Sequence, residues 1–134
     1  MAIVIHHNLD CGTSRNVLEM IRASGEDPVV IDYLSDGWTR PQLVALFAAA
    51  DLTPRTALRE TKSPAEELGL LAEGVTDETI LTAMLEHPIL VNRPIVATPK
   101  GVKLCRPSEL VLDLLDGAPE TFTKEDGETV STGT

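Results

Sequence analysis

The sequence begins with an unbroken apolar, largely β-branched run, Ile3-Val4-Ile5, and residues 2–7 read as a buried strand. Beyond the polar stretch Asn8 to Thr13 the period changes. Val17, Leu18, Ile21 and Arg22 stand at helical spacing, which predicts a helix over residues 14–24 ended by Gly25. Residues 29–33 form a second short β-branched strand. Strand, helix and strand in about 30 residues make a right-handed βαβ unit with parallel strands. Cys11 then falls at the carboxyl edge of the first strand.

The pattern next turns helical. Thr39-Arg40-Pro41-Gln42 reads as a capping box ahead of Leu43, Val44, Leu46 and Phe47, and Ser63-Pro64-Ala65-Glu66 as a second one with proline at the first helical position. A third helix is capped by Thr76, carries Asp77 and Glu78 at the positive end of its dipole, and presents Ile80, Leu81, Met84 and Leu85 up to His87-Pro88. The chain returns to β structure at residues 94–98 and 102–105, two short strands joined by Pro99-Lys100-Gly101 into a hairpin. Pro107 opens a last helix with Leu110, Val111, Leu114 and Leu115, ended by Gly117. Residues 120–134 are polar and are expected to be loosely ordered. The order βαβ, helical insert, ββ, α predicts an α/β protein of the thioredoxin-like fold, with a mixed four-stranded sheet in a single domain over residues 1–119 and an inserted helical subdomain at about 39–87. In that fold the segment after the first strand carries the redox cysteine.

Composition narrows the function classes. A chain of 134 residues fits one domain, and no apolar run approaches the roughly 18 residues needed to cross a bilayer, so no membrane partner is expected. The formal net charge of −10 repels polyanions, which argues against nucleic acid as a partner. Small anions are different. Screening confines that field to about 10 Å, so a few clustered arginines can still hold one. The start of the chain does not read as a signal peptide, and two cysteines are too few for a disulfide framework, so a cytoplasmic location is the expectation.

Cys11-Gly12-Thr13-Ser14 is a C-x-x-S motif at a predicted helix N-terminus, where unpaired N–H groups and the helix dipole favour a thiolate and can bind an oxyanion. The polar neighbours Asn8, Asp10, Thr13 and Ser14 suit a nucleophile better than a core thiol. With no second cysteine in the motif, a local disulfide is impossible, and electrons must pass through another molecule or a distant thiol. His7, four residues before Cys11, is close enough for an imidazolium to stabilise the thiolate, while His6 should point to the opposite face. His6, His7 and Cys11 have no further ligand cluster beside them, so no metal is expected. Arg93 and Arg106 flank the predicted hairpin, and antiparallel pairing brings them side by side as an oxyanion site. Arg59 stands in a different setting, Leu58-Arg59-Glu60. Cys105, ending Val102-Lys103-Leu104-Cys105, reads as a small apolar strand residue.

Taken together, "HN-x-x-CGTSRN", "HPIL-x-NRPIV-x-TP-x-G", "LCRPSE" and "FTKEDGE" resemble the glutaredoxin-linked arsenate reductases, a bacterial family with a thioredoxin-like fold. The likeness runs from Ile3 to about Glu128. It implies Cys11 as nucleophile and His7 as the histidine that lowers its pKa. It also implies Arg59, Arg93 and Arg106 as arsenate ligands along with Ser14, and Gly12, Thr13, Arg15 and Pro94 in supporting places, Pro94 matching a proline that is usually cis. The activity implied is reduction of arsenate to arsenite with no tightly bound cofactor, glutathione serving as reducing co-substrate and glutaredoxin as partner. His6 stands where the family usually has Tyr, and Leu9 where it usually has Pro. The arsenate reductases with a phosphatase-like loop need arginine six residues after the cysteine, and Val17 occupies that position. Two alternatives share the fold: a thiol oxidoreductase acting on glutathione adducts, and a non-enzymatic regulator. The regulators typically carry C-x-x-C and lack the arginine set, so Ser14, Arg93 and Arg106 count against that reading.

Overall fold

The computed structural model describes residues 1–117 and 121–131. They fall into two compact units, Met1–Asp32 with Arg93–Thr134, and Tyr33–Asn92.

In the first unit, the β-branched run forms strand β1 (Val4–His7) and the polar turn leads into helix α1 (Gly12–Ala23), which starts two residues before the predicted residue 14. Strand β2 (Val29–Asp32) pairs parallel with β1, Val4 opposite Val29 and His7 opposite Asp32. Strands β3 (Ile95–Thr98) and β4 (Gly101–Leu104) form the expected hairpin, with Gly101 at φ +145°. Antiparallel pairing of β3 with β1 gives the four-stranded mixed sheet in the order β2-β1-β3-β4, the arrangement of the thioredoxin-like fold. The Arg93–Pro94 and Arg106–Pro107 peptide bonds are cis.

One face of the sheet is covered by α1 and by a 3₁₀ segment over Ser108–Leu114, which stands where the sequence predicts an α-helix. Leu110, Val111, Leu114 and Leu115 are spaced i, i+1, i+4 and i+5, which reads as an α-helix, whereas the segment winds more tightly and buries Ser108, Val111 and Leu114, three residues apart along one side of a 3₁₀ helix. The core holds Ile3, Ile5, Val17, Met20, Ile21, Val96, Val111 and Leu114, all at most 2% exposed. Fully burying each such aliphatic side chain contributes roughly 1.5–3 kcal/mol.

The segment expected to be loosely ordered carries a second hairpin, β5 (Thr121–Thr123) with β6 (Thr129–Ser131), Phe122 opposite Val130. Phe122 and Val130 pack against the core, and that pair of apolar groups is what fastens an otherwise polar strip of chain. Residues 118–120 and 132–134 lie outside the described residues.

The second unit contains a short helix α2 (Tyr33–Asp36) and helices α3 (Arg40–Ala49) and α4 (Asp77–Glu86), followed by a 3₁₀ turn at Pro88–Leu90. The Thr39/Gln42 capping box opens α3 and Thr76 caps α4, as their sequences require. The second predicted box yields only one turn, with the Ser63 hydroxyl accepting from the Ala65 N–H at 3.3 Å. Leu68 N–H reaches the Pro64 carbonyl, but Gly69, at φ +73°, then closes the segment, with Leu70 N–H bonded back to the Ala65 carbonyl. This is the Schellman way of ending a helix, and a left-handed residue so soon after the cap leaves no room to propagate. Tyr33 and Trp38 stack at 5.1 Å within this unit.

Candidate active site

The turn after β1 is built by its own side chains. Asn8 Oδ1 accepts from the Asp10 N–H at 2.9 Å, and the Cys11 N–H donates to the Asn8 carbonyl at 3.1 Å. The chain thereby reverses within four residues and enters α1 with Cys11 as the N-cap, in extended backbone geometry (φ −102°, ψ 120°) and without a side-chain cap. A sulfur in the place usually held by Ser, Thr, Asp or Asn leaves the first-turn N–H groups of α1 available to it.

The electrostatics around Cys11 oppose one another. Burial pushes the thiol up, since the residue is only 6% exposed. Against that act the Ser14 backbone N–H, the Arg93 charge, and hydrogen bonds from the Arg93 and Arg106 guanidinium groups, and the sum holds the thiol below its ordinary value. Arg106 Nη1 lies 3.7 Å from Cys11 Sγ and also donates to the Arg93 carbonyl at 3.2 Å. Pairing explains the convergence: Ile95 is opposite Leu104, and the Cys105 N–H continues the ladder to the Pro94 carbonyl at 2.9 Å. Arg93 and Arg106 are therefore the next residues out on either side of one hairpin end.

His7 and Ser14 form a buried pair behind the turn, His7 Nδ1 to Ser14 Oγ 2.6 Å, and the Asn8 N–H donates to the same hydroxyl at 3.1 Å. The imidazolium expected from the sequence is not what these surroundings favour. Burial holds the His7 pKa below its ordinary value, opposed by the Asp32 charge and aided by those of Arg22 and Arg15. His6, one strand position earlier, is also buried rather than on an exposed face, and burial lowers its pKa to about 4.

The remaining sequence candidates are distributed as follows. Gly12 and Thr13 form the first turn of α1. Arg15 lies at its surface, its Nη1 donating to the Leu9 carbonyl at 2.7 Å. Pro94 precedes β3. Arg59 belongs to the second unit, where it is buried, its Nε donating to the Thr61 carbonyl at 3.1 Å and its N–H to the Leu90 carbonyl at 2.8 Å. Cys105 is fully buried in the first unit's core, and burial pushes its thiol up to about 12. Among the described residues no group of three or more His, Cys, Asp or Glu is placed to hold a metal ion, and no helix is long and apolar enough to cross a membrane. Glu125 and Asn16, which meet Arg15 and the C-terminal hairpin, were missed by sequence reasoning. The Asp126-Gly127 pair between Thr-Phe-Thr and Thr-Val-Ser is the turn signal that marks them.

Two buried histidines give the fold an acid limb. Both have folded pKa values below the unfolded value of about 6.5, so the unfolded chain takes up the extra protons, and stability is lost as pH falls below that value. For His6 the loss accumulates down to about pH 4 and reaches about 3 kcal/mol. Thermal melts between pH 7 and 4 should show it, and His6→Gln should flatten that limb. An equally steep limb in the variant would assign the acid sensitivity elsewhere.

A low-pKa thiol at the head of a helix, faced by two guanidinium groups on a thioredoxin-like sheet, defines a thiol-redox protein adapted to an oxyanion. Comparison with known proteins narrows the class. Residues 6–114 match the ArsC family, and the chain belongs to that family. It is 70% identical over 129 residues to arsenate reductase ArsI2 of Synechocystis sp., spanning 96% of this chain and 92% of that one. It is 55% identical over 129 residues to an arsenate reductase of Escherichia coli, again covering 96% and 92%. Among solved structures, an arsenate reductase from Vibrio cholerae superposes with a TM-score of 0.80 at 34% identity, over 86% of this chain and 98% of that one.

Proposed function

We propose that this protein is an arsenate reductase in which Cys11 is the nucleophile. The observation that carries the reading is the Cys11 sulfur at the head of α1 with Arg106 Nη1 at 3.7 Å and Arg93 beside it. In the proposed reaction the Cys11 thiolate attacks arsenic, an S–As bond forms, and hydroxide leaves as water after taking up a proton. Arg93, Arg106 and the first N–H groups of α1 neutralise the arsenate oxygens as charge builds on them. Glutathione thiolate then attacks the Cys11 sulfur. The S–As electron pair passes to arsenic, reducing As(V) to As(III), and arsenite leaves while Cys11 and glutathione are joined as a mixed disulfide. Glutaredoxin attacks the glutathione sulfur of that disulfide, Cys11 leaves as the thiolate, and a second glutathione frees glutaredoxin by forming oxidised glutathione.

Outside thiols are needed because Cys105 is buried with its thiol near 12, which leaves Cys11 without an internal partner of ordinary reactivity. His7 serves as a positioning residue: neutral, it holds the Ser14 hydroxyl, and with it the start of α1 whose N–H faces the sulfur. Gly12, Thr13 and Pro94 keep the supporting places that the family resemblance gives them: Gly12 and Thr13 open α1 after Cys11, and Pro94 precedes β3. The assignment of Arg59 to the same anion rests on the family resemblance alone. A dependence on glutathione and glutaredoxin suits a reducing compartment, and the cytoplasm is the location this reading favours.

The test is arsenate-dependent NADPH oxidation coupled through glutathione, glutaredoxin and glutathione reductase. Oxidation should require arsenate and fall to background when either glutathione or glutaredoxin is left out. Turnover of a glutathione mixed disulfide without turnover of arsenate would establish the thiol oxidoreductase alternative instead. Turnover of neither would favour the regulator.

A further inference from the structure

The C-terminal hairpin meets the start of the helix headed by Cys11 through several bonds at once. Glu125, in the connection between β5 and β6, takes both oxygens to the Arg15 guanidinium, Nε to Oε2 at 3.0 Å and Nη2 to Oε1 at 2.8 Å. Its backbone N–H donates to Asn16 Oδ1 at 3.0 Å. The third nitrogen of the same guanidinium, Nη1, donates to the Leu9 carbonyl at 2.7 Å. One arginine thus spans from the hairpin to the turn that delivers Cys11. The approach is close: Oε1 of Glu125 would stand 2.9 Å from a Cβ at Gly12, the residue next to the nucleophile. Behind this contact the hairpin is anchored by Phe122 and Val130 on the core and by Lys124 paired with Glu109 and Glu128. A planar fork that fills both carboxylate oxygens and a carbonyl has a fixed orientation, which a loose surface ion pair lacks.

We propose that Glu125 is a positioning residue for Cys11, holding Arg15 against the Leu9 carbonyl and so setting both the shape of the 8–11 turn and the charge facing the sulfur. Glu125 is a hydrogen-bond and charge partner of Arg15, and the Cys11 thiolate and Asp10 act on the same guanidinium. Arg15 is therefore shared between the hairpin and the nucleophile. Glu125 offsets part of that charge at an exposed pair, while Arg93 and Arg106 remain the cations that act directly on the sulfur. This assignment rests on Cys11 being the reactive thiol, and its test uses thiol chemistry alone, so it stands or fails separately from arsenate turnover.

The experiment is the rate of Cys11 alkylation by iodoacetamide against pH in the folded full chain, for Glu125→Gln, Arg15→Ala and the double variant, with a thermal melt of each. Glu125→Gln removes a negative charge near the thiolate and leaves Arg15 uncompensated, so its midpoint should move to lower pH. Arg15→Ala removes a positive charge, so its midpoint should move to higher pH. In the double variant the effect of Glu125→Gln should shrink, because the cation through which it acts is gone. Melting temperatures should stay close to that of the parent, both side chains being nearly half exposed. Midpoints that stay put, or that move the same way in both single variants, would overturn the proposal. A marked fall in melting temperature with an unmoved midpoint would make the clasp purely structural, which also overturns it.

Discussion

Replacing Cys11 with serine should lower arsenate reduction by roughly a thousand-fold or more, the loss expected when a covalent nucleophile is removed. A serine hydroxyl at the same helix end stays protonated near neutral pH, so the first bond to arsenic does not form. Cys105→Ala should keep most of the activity. Its sulfur is fully buried among the side chains of the core and has its thiol near 12, so it is neither accessible nor ionised where Cys11 is both activated and faced by cations. The choice of alanine matters. Serine at position 105 would bury a hydroxyl in an apolar core at a cost of about 1–3 kcal/mol, and activity lost through unfolding would imitate activity lost through chemistry. The measurement is the coupled assay beside thermal melts. Equal loss of activity in Cys11→Ser and in a stably folded Cys105→Ala would mean that an internal disulfide carries the reaction.

Arg93→Ala and Arg106→Ala should each weaken arsenate use by roughly ten- to hundred-fold. The basis is the worth of a charge-assisted hydrogen bond, roughly 1.5–3 kcal/mol, converted to a rate ratio. A second consequence follows from the same geometry. Each guanidinium also stabilises the thiolate, so removing either should raise the Cys11 pKa and shift the activity profile toward higher pH. Lysine should restore the direction of the pH shift better than it restores arsenate use, because an ammonium keeps the charge but not the planar fork. Arg40→Ala serves as a control: Arg40 pairs with Glu78 at the surface of the second unit, and its loss should leave kinetics unchanged. Full activity in the Arg93 and Arg106 variants would defeat the anion-site reading, whereas a large fall in their melting temperatures would favour a structural one.

The sequence made the scaffold of this site readable because its signals are local. A β-branched run followed by a helical period places β1 and α1, and two short runs around Pro99-Lys100-Gly101 place β3 and β4. Once the hairpin is assigned, the proximity of Arg93 and Arg106 follows from strand pairing alone. The histidine was harder to read. Spacing puts His7 near Cys11, but whether its ring is charged depends on burial among distant residues, and burial is a property of the packed sheet. The C-terminal hairpin went unread for a different reason. Each of its strands contributes a single apolar residue, Phe122 or Val130, too few to show a period, and only the core beneath them gives those two a role. At the second predicted box Ser63 Oγ accepts from the Ala65 N–H, and Gly69 cuts the segment short after one turn.

The contrast between the two cysteines also makes the protein its own conformational gauge. A thiol reagent offered to the native chain should react at the proposed nucleophile at the head of α1, while the other sulfur is fully buried in the core cluster that also holds Ile5, Val96 and Val111. The second equivalent becomes available only when the sheet and its covering segments part. Its labelling rate counts how often that happens in the resting molecule, with no probe added and no residue changed.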